Sequence, residues 1–127
     1  MILFINGSPN KDGNTARLAR ELIGDRPYEQ LNLAEHKVYG YGQNYGDDDF
    51  EDVLARIEAA DTLVVGSPVY WHNLSGMLRN LLDRFYGPVR EGSMSGKTLY
   101  FVFQGGAPTR EMLDWGEYTM KRFAGLY

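Results

Sequence analysis

Apolar residues recur along this chain in two alternating rhythms, and each rhythm predicts a different element. Ile2-Leu3-Phe4-Ile5 is an unbroken apolar run, the pattern of a strand covered on both faces. After a polar, glycine-containing interruption, Thr15, Leu18, Ala19, Leu22 and Ile23 recur at i, i+3, i+4, i+7 and i+8. That spacing predicts one apolar helical face, stopped by Gly24. Glu29-Gln30-Leu31-Asn32-Leu33 alternates polar and apolar, as an edge or half-covered strand does. Phe50, Val53, Leu54, Ile57 and Ala60 predict a second helix, and Thr62-Leu63-Val64-Val65 a strand buried on both faces. The third helix is the most regular, with Leu74, Met77, Leu78, Leu81, Leu82 and Phe85 on one face. Thr98 to Phe103 predicts a fourth strand, and residues from about 109 to 123 a fourth helix with a less regular face of Leu113, Met120 and Phe123.

Strands separated by helices imply a parallel sheet with right-handed crossovers and helices on both faces, a doubly wound α/β fold. Ligands of such sheets bind outside the carboxyl ends of the strands. Three loops leave the apolar strands at that edge, Gly7 to Thr15, Gly66 to Asn73 and Gln104 to Pro108, so their chemistry reads as one site.

The first loop, Gly7-Ser8-Pro9-Asn10-Lys11-Asp12-Gly13-Asn14-Thr15, joins a buried strand to a helix. Such a junction turns backbone N–H groups and a positive helix end toward one point, which makes a phosphate cradle. Its spacing is neither the G-x-x-x-x-G-K-[ST] of nucleoside triphosphate sites nor the G-x-G-x-x-G of dinucleotide sites. Ser8, Asn14 and Thr15 as side-chain donors suit a phosphomonoester such as that of flavin mononucleotide (FMN). The same residues also meet the simpler need of a helix N-cap, with Asn14 or Thr15 satisfying free amides, and Lys11 either assists the phosphate or is solvated. In the second loop, adjacent Tyr70 and Trp71 offer flat faces to a planar ligand or partner, although either one singly also serves to cap the core. In the third, Gly105 and Gly106 permit close backbone approach to a ligand, and Pro108 equally marks a helix entry.

Composition narrows this picture. A chain of 127 residues is read as one domain over 1–127, with 43% hydrophobic and 24% charged residues, ordinary for a globular protein. A net charge of −4 provides no basic footprint for nucleic acid. With no cysteine, thiol nucleophiles, disulfides and thiolate-held iron–sulfur clusters are excluded. No apolar stretch approaches membrane-spanning length and no leader pattern precedes the first strand, so no membrane partner and a cytoplasmic location are expected. His36 and His72 lack metal-ligand spacing, so no metal is expected. Asp47-Asp48-Asp49 is explained by the dipole of the helix it precedes, and Asp83-Arg84 reads as a helix-surface or loop-tethering pair.

GSPNKDGNT at 7–15, GSPVYWHN followed by LSGMLRNLLDRF at 66–85, and FQGGAP at 103–108, in this order, resemble the flavodoxin-like NAD(P)H-dependent FMN reductase family. The resemblance covers nearly the whole chain and implies a flavodoxin-like sheet of strand order 2-1-3-4. It implies that Ser8, Asn14 and Thr15, with Lys11 assisting, hold the FMN phosphate. Pro68, Val69, Tyr70, Trp71 and Asn73 would border the isoalloxazine ring, and Gln104, Gly105 and Gly106 would meet its pyrimidine edge. FMN would take hydride from NAD(P)H as co-substrate and pass electrons to a small acceptor, a quinone, nitro or azo compound or free flavin, so no side chain is assigned a catalytic role. Two departures stand out. Several relatives carry an iron–sulfur cysteine cluster where this chain has residues 37–46, without cysteine; and the chain stops at Gly125-Leu126-Tyr127, about where the family's fifth strand would begin, so that strand is expected to be absent or truncated. The family is commonly dimeric. A homodimer is therefore expected, through the tyrosines of 39–46 or the edge of the fourth strand, whose apolar residues fall on both parities. A flavodoxin-type electron carrier, or a non-catalytic interaction module using 39–46, are the alternatives.

Overall fold

Four parallel strands form the sheet in the computed structural model, which describes residues 1–127: β1 (Ile2–Asn6), β2 (Tyr28–Asn32), β3 (Thr62–Pro68) and β4 (Thr98–Gln104). Their order, β2-β1-β3-β4, is the flavodoxin-like order expected from the sequence. Between and after them run α1 (Asn14–Ile23), α2 (Phe50–Ala59), α3 (Gly76–Arg84) and α4 (Arg110–Leu126), with one 3₁₀ turn at Leu33–Glu35. No helix is long and apolar enough to cross a membrane.

The period of two along each strand splits the core. Leu3, Ile5, Leu63 and Val65 face one way and pack with Phe50, Val53 and Ile57 of α2, Leu78 and Leu81 of α3, and Met120 of α4. Phe4 and Val64 face the other way, against Ala16, Ala19 and Ile23 of α1. The helix α1 thus works alone on its side of the sheet. This accounts for one departure from the expected helical face: Leu18 and Leu22 are exposed, because no second helix flanks α1 to cover them, and Ala16 is buried in their stead.

Two strands run further than their apolar runs. Gly66-Ser67-Pro68, expected as loop, continues β3 and pairs in register with Val102, Phe103 and Gln104, since a backbone ladder needs no apolar side chain. Asn6 likewise extends β1 opposite Asn32 of β2, and Asn32 is buried beside Leu31, which breaks the alternation expected for that strand. At the other edge, β4 has a single neighbour. Leu99, Phe101, Val102 and Phe103 are half-buried there, and Tyr100 is exposed. The helix α4 lies directly on the Phe103 ring, an approach open only to a glycine: a Cβ on Gly116 would stand 2.3 Å from Phe103 Cε2.

The segment between β2 and α2 is fastened by charge. The Arg84 guanidinium pairs with the Asp48 carboxylate, donates to Tyr39 O at 3.1 Å and lies 4.7 Å from the centre of the Phe50 ring. Burial works against ionisation of Asp48, but Arg84 and the Phe50 N–H outweigh it and hold this carboxyl below its ordinary range. Tyr41 of this segment meets the Tyr86 ring edge-on, just past the C-terminal end of α3. That places it at the far end of α3 from the loop preceding the helix.

Candidate functional site

Loop 7–13 is shaped from beneath by side chains of the two strands it crosses. The buried Asn6 carboxamide accepts from the Ser8 N–H (3.1 Å) and donates to Asn10 O (3.1 Å) and to Asn32 Oδ1 (3.1 Å). Gln30 Nε2 donates to Lys11 O (2.9 Å) and to Asn32 Oδ1 (2.8 Å). Ser8 Oγ accepts from the Asn10 N–H (3.0 Å), a local turn that uses an acceptor site of the hydroxyl and leaves its proton free.

The outer side of the same loop is different. None of the N–H groups from Lys11 to Ala16 has an acceptor within the chain. The N-cap, Gly13, provides no side chain, and the two side chains that could have capped are committed elsewhere. Asn14 Oδ1 accepts from Arg17 Nη1 (3.4 Å), and the buried Thr15 Oγ1 accepts from Gln104 Nε2 (3.1 Å). Each of the other helices starts with a side-chain cap or with acids in its first turn: Ser75 for α3, Thr109 for α4, Glu51 and Asp52 for α2. Only α1 has neither, so its positive end is uncompensated within the chain. Of the two readings left open by the sequence, the side-chain cap is not formed, and the amides stay free as an anion cradle would need.

Second in the site is a hairpin that β3 feeds into. Val69 N–H donates to Gln104 O (2.8 Å), and Tyr70 and Asn73 then exchange two backbone bonds (3.0 and 3.1 Å) around Trp71 and His72. Both turn residues have positive φ, 45° and 68°, the signature of a type I′ turn normally built from Asn and Gly. Trp71 is raised on its tip, 94% exposed. Asn73 Oδ1 is used locally, accepting from the Leu74 N–H at 2.9 Å.

Gly105 follows β4 and packs on Val69, where a Cβ would come within 3.1 Å of Val69 Cβ. Val69, Trp71, His72, Gly105, Gly106 and Pro108 line a cleft of about 240 Å³ beside the cradle's Gln104. Two wider grooves, about 430 and 440 Å³, flank α4 and contain none of the residues that the sequence assigns to a ligand. The unpartnered amides, not cavity size, mark the site.

The structure therefore brings Ser8, Asn14, Thr15 and Gln104 together at the cradle, and Val69, Trp71, Gly105 and Gly106 at the cleft. Lys11 is exposed at the loop's rim. Pro68 lies within β3, Tyr70 and Asn73 close the hairpin, and none of these three lines the cleft. Gln104, expected at a pyrimidine edge, donates its carboxamide N–H to Thr15. The tyrosines of 39–46 do not line the cleft either. Asn6, Asn32 and Gln30 escaped the reading of the sequence. Their signal was there, a polar residue closing an otherwise apolar strand, but it is indistinguishable from an ordinary strand end until the register sets Asn6 against Asn32.

A family model described as NADPH-dependent FMN reductase matches residues 1–117. A Bacillus subtilis protein provisionally named an NAD(P)H-dependent FMN-containing oxidoreductase is 27% identical over 120 residues, covering 83% of this chain and 66% of its own length. An iron-sulfur flavoprotein of Archaeoglobus fulgidus is 33% identical over 96 residues, covering 65% of this chain and 47% of its own. This chain thus spans about half to two-thirds of the length of the first three curated relatives it matches. Among solved structures, the Trp repressor binding protein of Bacillus subtilis superposes with a TM-score of 0.77 at 23% identity, over 99% of this chain and 78% of that one, a likeness of fold.

Proposed function

The chain belongs to the NADPH-dependent FMN reductase family, and from that premise we propose that it is an NAD(P)H oxidoreductase delivering electrons to a small organic acceptor, with residues 1–127 forming one FMN-binding domain. FMN, when bound, supplies the hydride-accepting and electron-passing chemistry. The chain's own residues bind and orient. The observation that carries the reading is the run of acceptor-less N–H groups from Lys11 to Ala16 at an uncapped helix end, beside a glycine-lined cleft.

In this reading the N–H groups of 11–16 and the free protons of the Ser8 and Thr15 hydroxyls hold the phosphate, with Asn14 and Lys11 at the rim. Val69 and Trp71 border the ring. Gly105 and Gly106, which have no side chain to keep a ligand at a distance, offer backbone N–H groups to its pyrimidine edge, where negative charge collects on reduction. Pro68, Tyr70 and Asn73 shape the loop that carries Trp71. The exposed Trp71 face leaves room for a nicotinamide and then for a quinone, nitro, azo or flavin acceptor. A need for reduced nicotinamide favours a cytoplasmic location, and no helix is able to cross a membrane.

The edge of β4, with half-exposed Leu99, Phe101 and Phe103 opening on a groove under α4, supports a homodimer through that edge in preference to the tyrosine segment, which is bound back onto α3. Such a contact should bury at least about 1,000 Å² in all; sedimentation at micromolar concentration checks it, and a monodisperse monomer with FMN bound refutes it. Anaerobic mixing with NADH or NADPH, followed at the flavin absorbance band, tests the activity. Reduction on mixing is expected. FMN that binds yet resists both nicotinamides would identify an electron carrier, and failure to bind FMN an interaction module.

A further inference from the structure

We propose that Asn6, together with Asn32 and Gln30, acts as a positioning group that sets the orientation of the 7–13 loop peptides, and that preference for a phosphorylated over an unphosphorylated flavin is determined there, underneath the loop. The inference rests on the reading of residues 8–15 as the phosphate cradle.

Two carboxamides facing each other across parallel strands are costly to bury unless every bond is made. Asn6 makes all of its bonds, and Asn32, 8% exposed, has its oxygen doubly used, by Asn6 and by Gln30. Asn6 is 0% exposed and spends its oxygen on the Ser8 N–H and its two N–H bonds on Asn10 O and Asn32 Oδ1. Gln30 spends its two N–H bonds on Lys11 O and Asn32 Oδ1, and Arg20 Nη2 reaches its oxygen at 3.4 Å. A peptide group is planar and trans, so its C=O and N–H point in opposite directions. Pinning Asn10 O down to Asn6 turns the Lys11 N–H outward, and pinning Lys11 O down to Gln30 turns the Asp12 N–H outward. These are the first two of the six amides without an acceptor. The strand carboxamides thus hold the Asn-Lys-Asp stretch as oriented donors from underneath the loop. Were the peptides free to rotate, they would set carbonyl oxygens against a dianionic phosphate.

The test is titration of FMN and riboflavin, by quenching of flavin fluorescence, on the wild type, Asn6→Leu, Gln30→Leu and the double variant Asn6→Leu/Asn32→Leu, with a thermal melt of each. Replacing both partners of a buried pair by apolar groups restores packing far better than replacing one. The double variant should therefore regain the part of the melting temperature that Asn6→Leu loses through the Asn6–Asn32 pair, the Ser8 N–H and Asn10 O staying unpaired in both, without regaining FMN affinity. We expect FMN affinity about tenfold weaker in every variant and riboflavin affinity within about twofold of wild type. An unchanged FMN-to-riboflavin ratio in the folded variants overturns the proposal, as does FMN affinity that recovers with the melting temperature. A wild type that binds both flavins equally would overturn the cradle itself, a separate failure. Should Asn6→Leu not fold, Gln30→Leu on the half-exposed edge strand makes the same comparison through Lys11 O alone.

Discussion

Gln104, the last residue of β4, donates its side-chain amide to the hydroxyl of Thr15 in the first turn of α1, a 3.1 Å bond across 89 positions of sequence. It joins the loop after the edge strand to the anion cradle and leaves the Thr15 proton to donate elsewhere. A lost charge-assisted bond costs about 1.5–3 kcal/mol. Thr15→Val and Gln104→Leu should each weaken FMN binding, the first by one to two decades, roughly. Because the two residues act through one hydroxyl, the double variant should be little worse than Thr15→Val alone. Equilibrium titration of the four proteins checks this; strictly additive losses would separate the two residues' roles.

Gly66 carries the same coupling into the core. A Cβ there would lie 2.7 Å from Thr15 Cγ2 and 3.0 Å from Phe4 Cε1. Gly66→Ala is expected to destabilise the fold by about 2 kcal/mol through overpacking, and also to displace Thr15 and lower FMN affinity. Urea denaturation and flavin titration read the two effects. A stable variant with normal affinity would show that the neighbours yield freely.

The Trp71-His72 turn holds two bulky residues in left-handed backbone, where glycine is favoured. Replacing Trp71 with Asn and His72 with Gly, the preferred type I′ pair, should stabilise the protein by about 1 kcal/mol and raise Tm by roughly 3 °C. The gain should come with altered acceptor use, since the exposed indole is lost. A lower Tm would mean that Trp71 and His72 make stabilising contacts that exceed the strain.

Acid should erode the Asp48–Arg84 clasp in a defined direction. The folded carboxyl titrates below its ordinary value of 3.8, so the unfolded chain takes up the proton first. The stabilisation is complete above that ordinary value and drains away as pH falls through the lowered one. Asp48→Asn should cost about 1–2 kcal/mol at neutral pH, and the difference from wild type should shrink as the pH is taken from neutral to well below 3.8. Denaturant curves at both pH values decide; a difference that grows in acid reverses the assignment.

Most of the fold was legible because the apolar runs and the helical faces of α2 and α3 agree with what the sheet buries. What misled was context. Leu18 and Leu22 sit on a correct helical period but face solvent, since periodicity does not say how many helices share a sheet face. At the candidate site, loop chemistry pointed to the segments where the structure leaves amides free and where two glycines line a cleft. The partner of Gln104, the turn at Trp71 and the carboxamides beneath the loop were not, because each depends on strand register or on residues brought together from distant segments.

The donors of the cradle and the carboxamides beneath it come from residues 6–32, while the hairpin and the glycine cleft come from 66–108. On the proposed reading, anchorage and reactivity are therefore encoded in separate stretches of sequence, meeting chiefly through Gly7, Thr15 and Gln104. If that reading holds, a lineage, or an engineer, could exchange residues 70–73 and change which acceptors are reduced while inheriting the grip on the flavin intact.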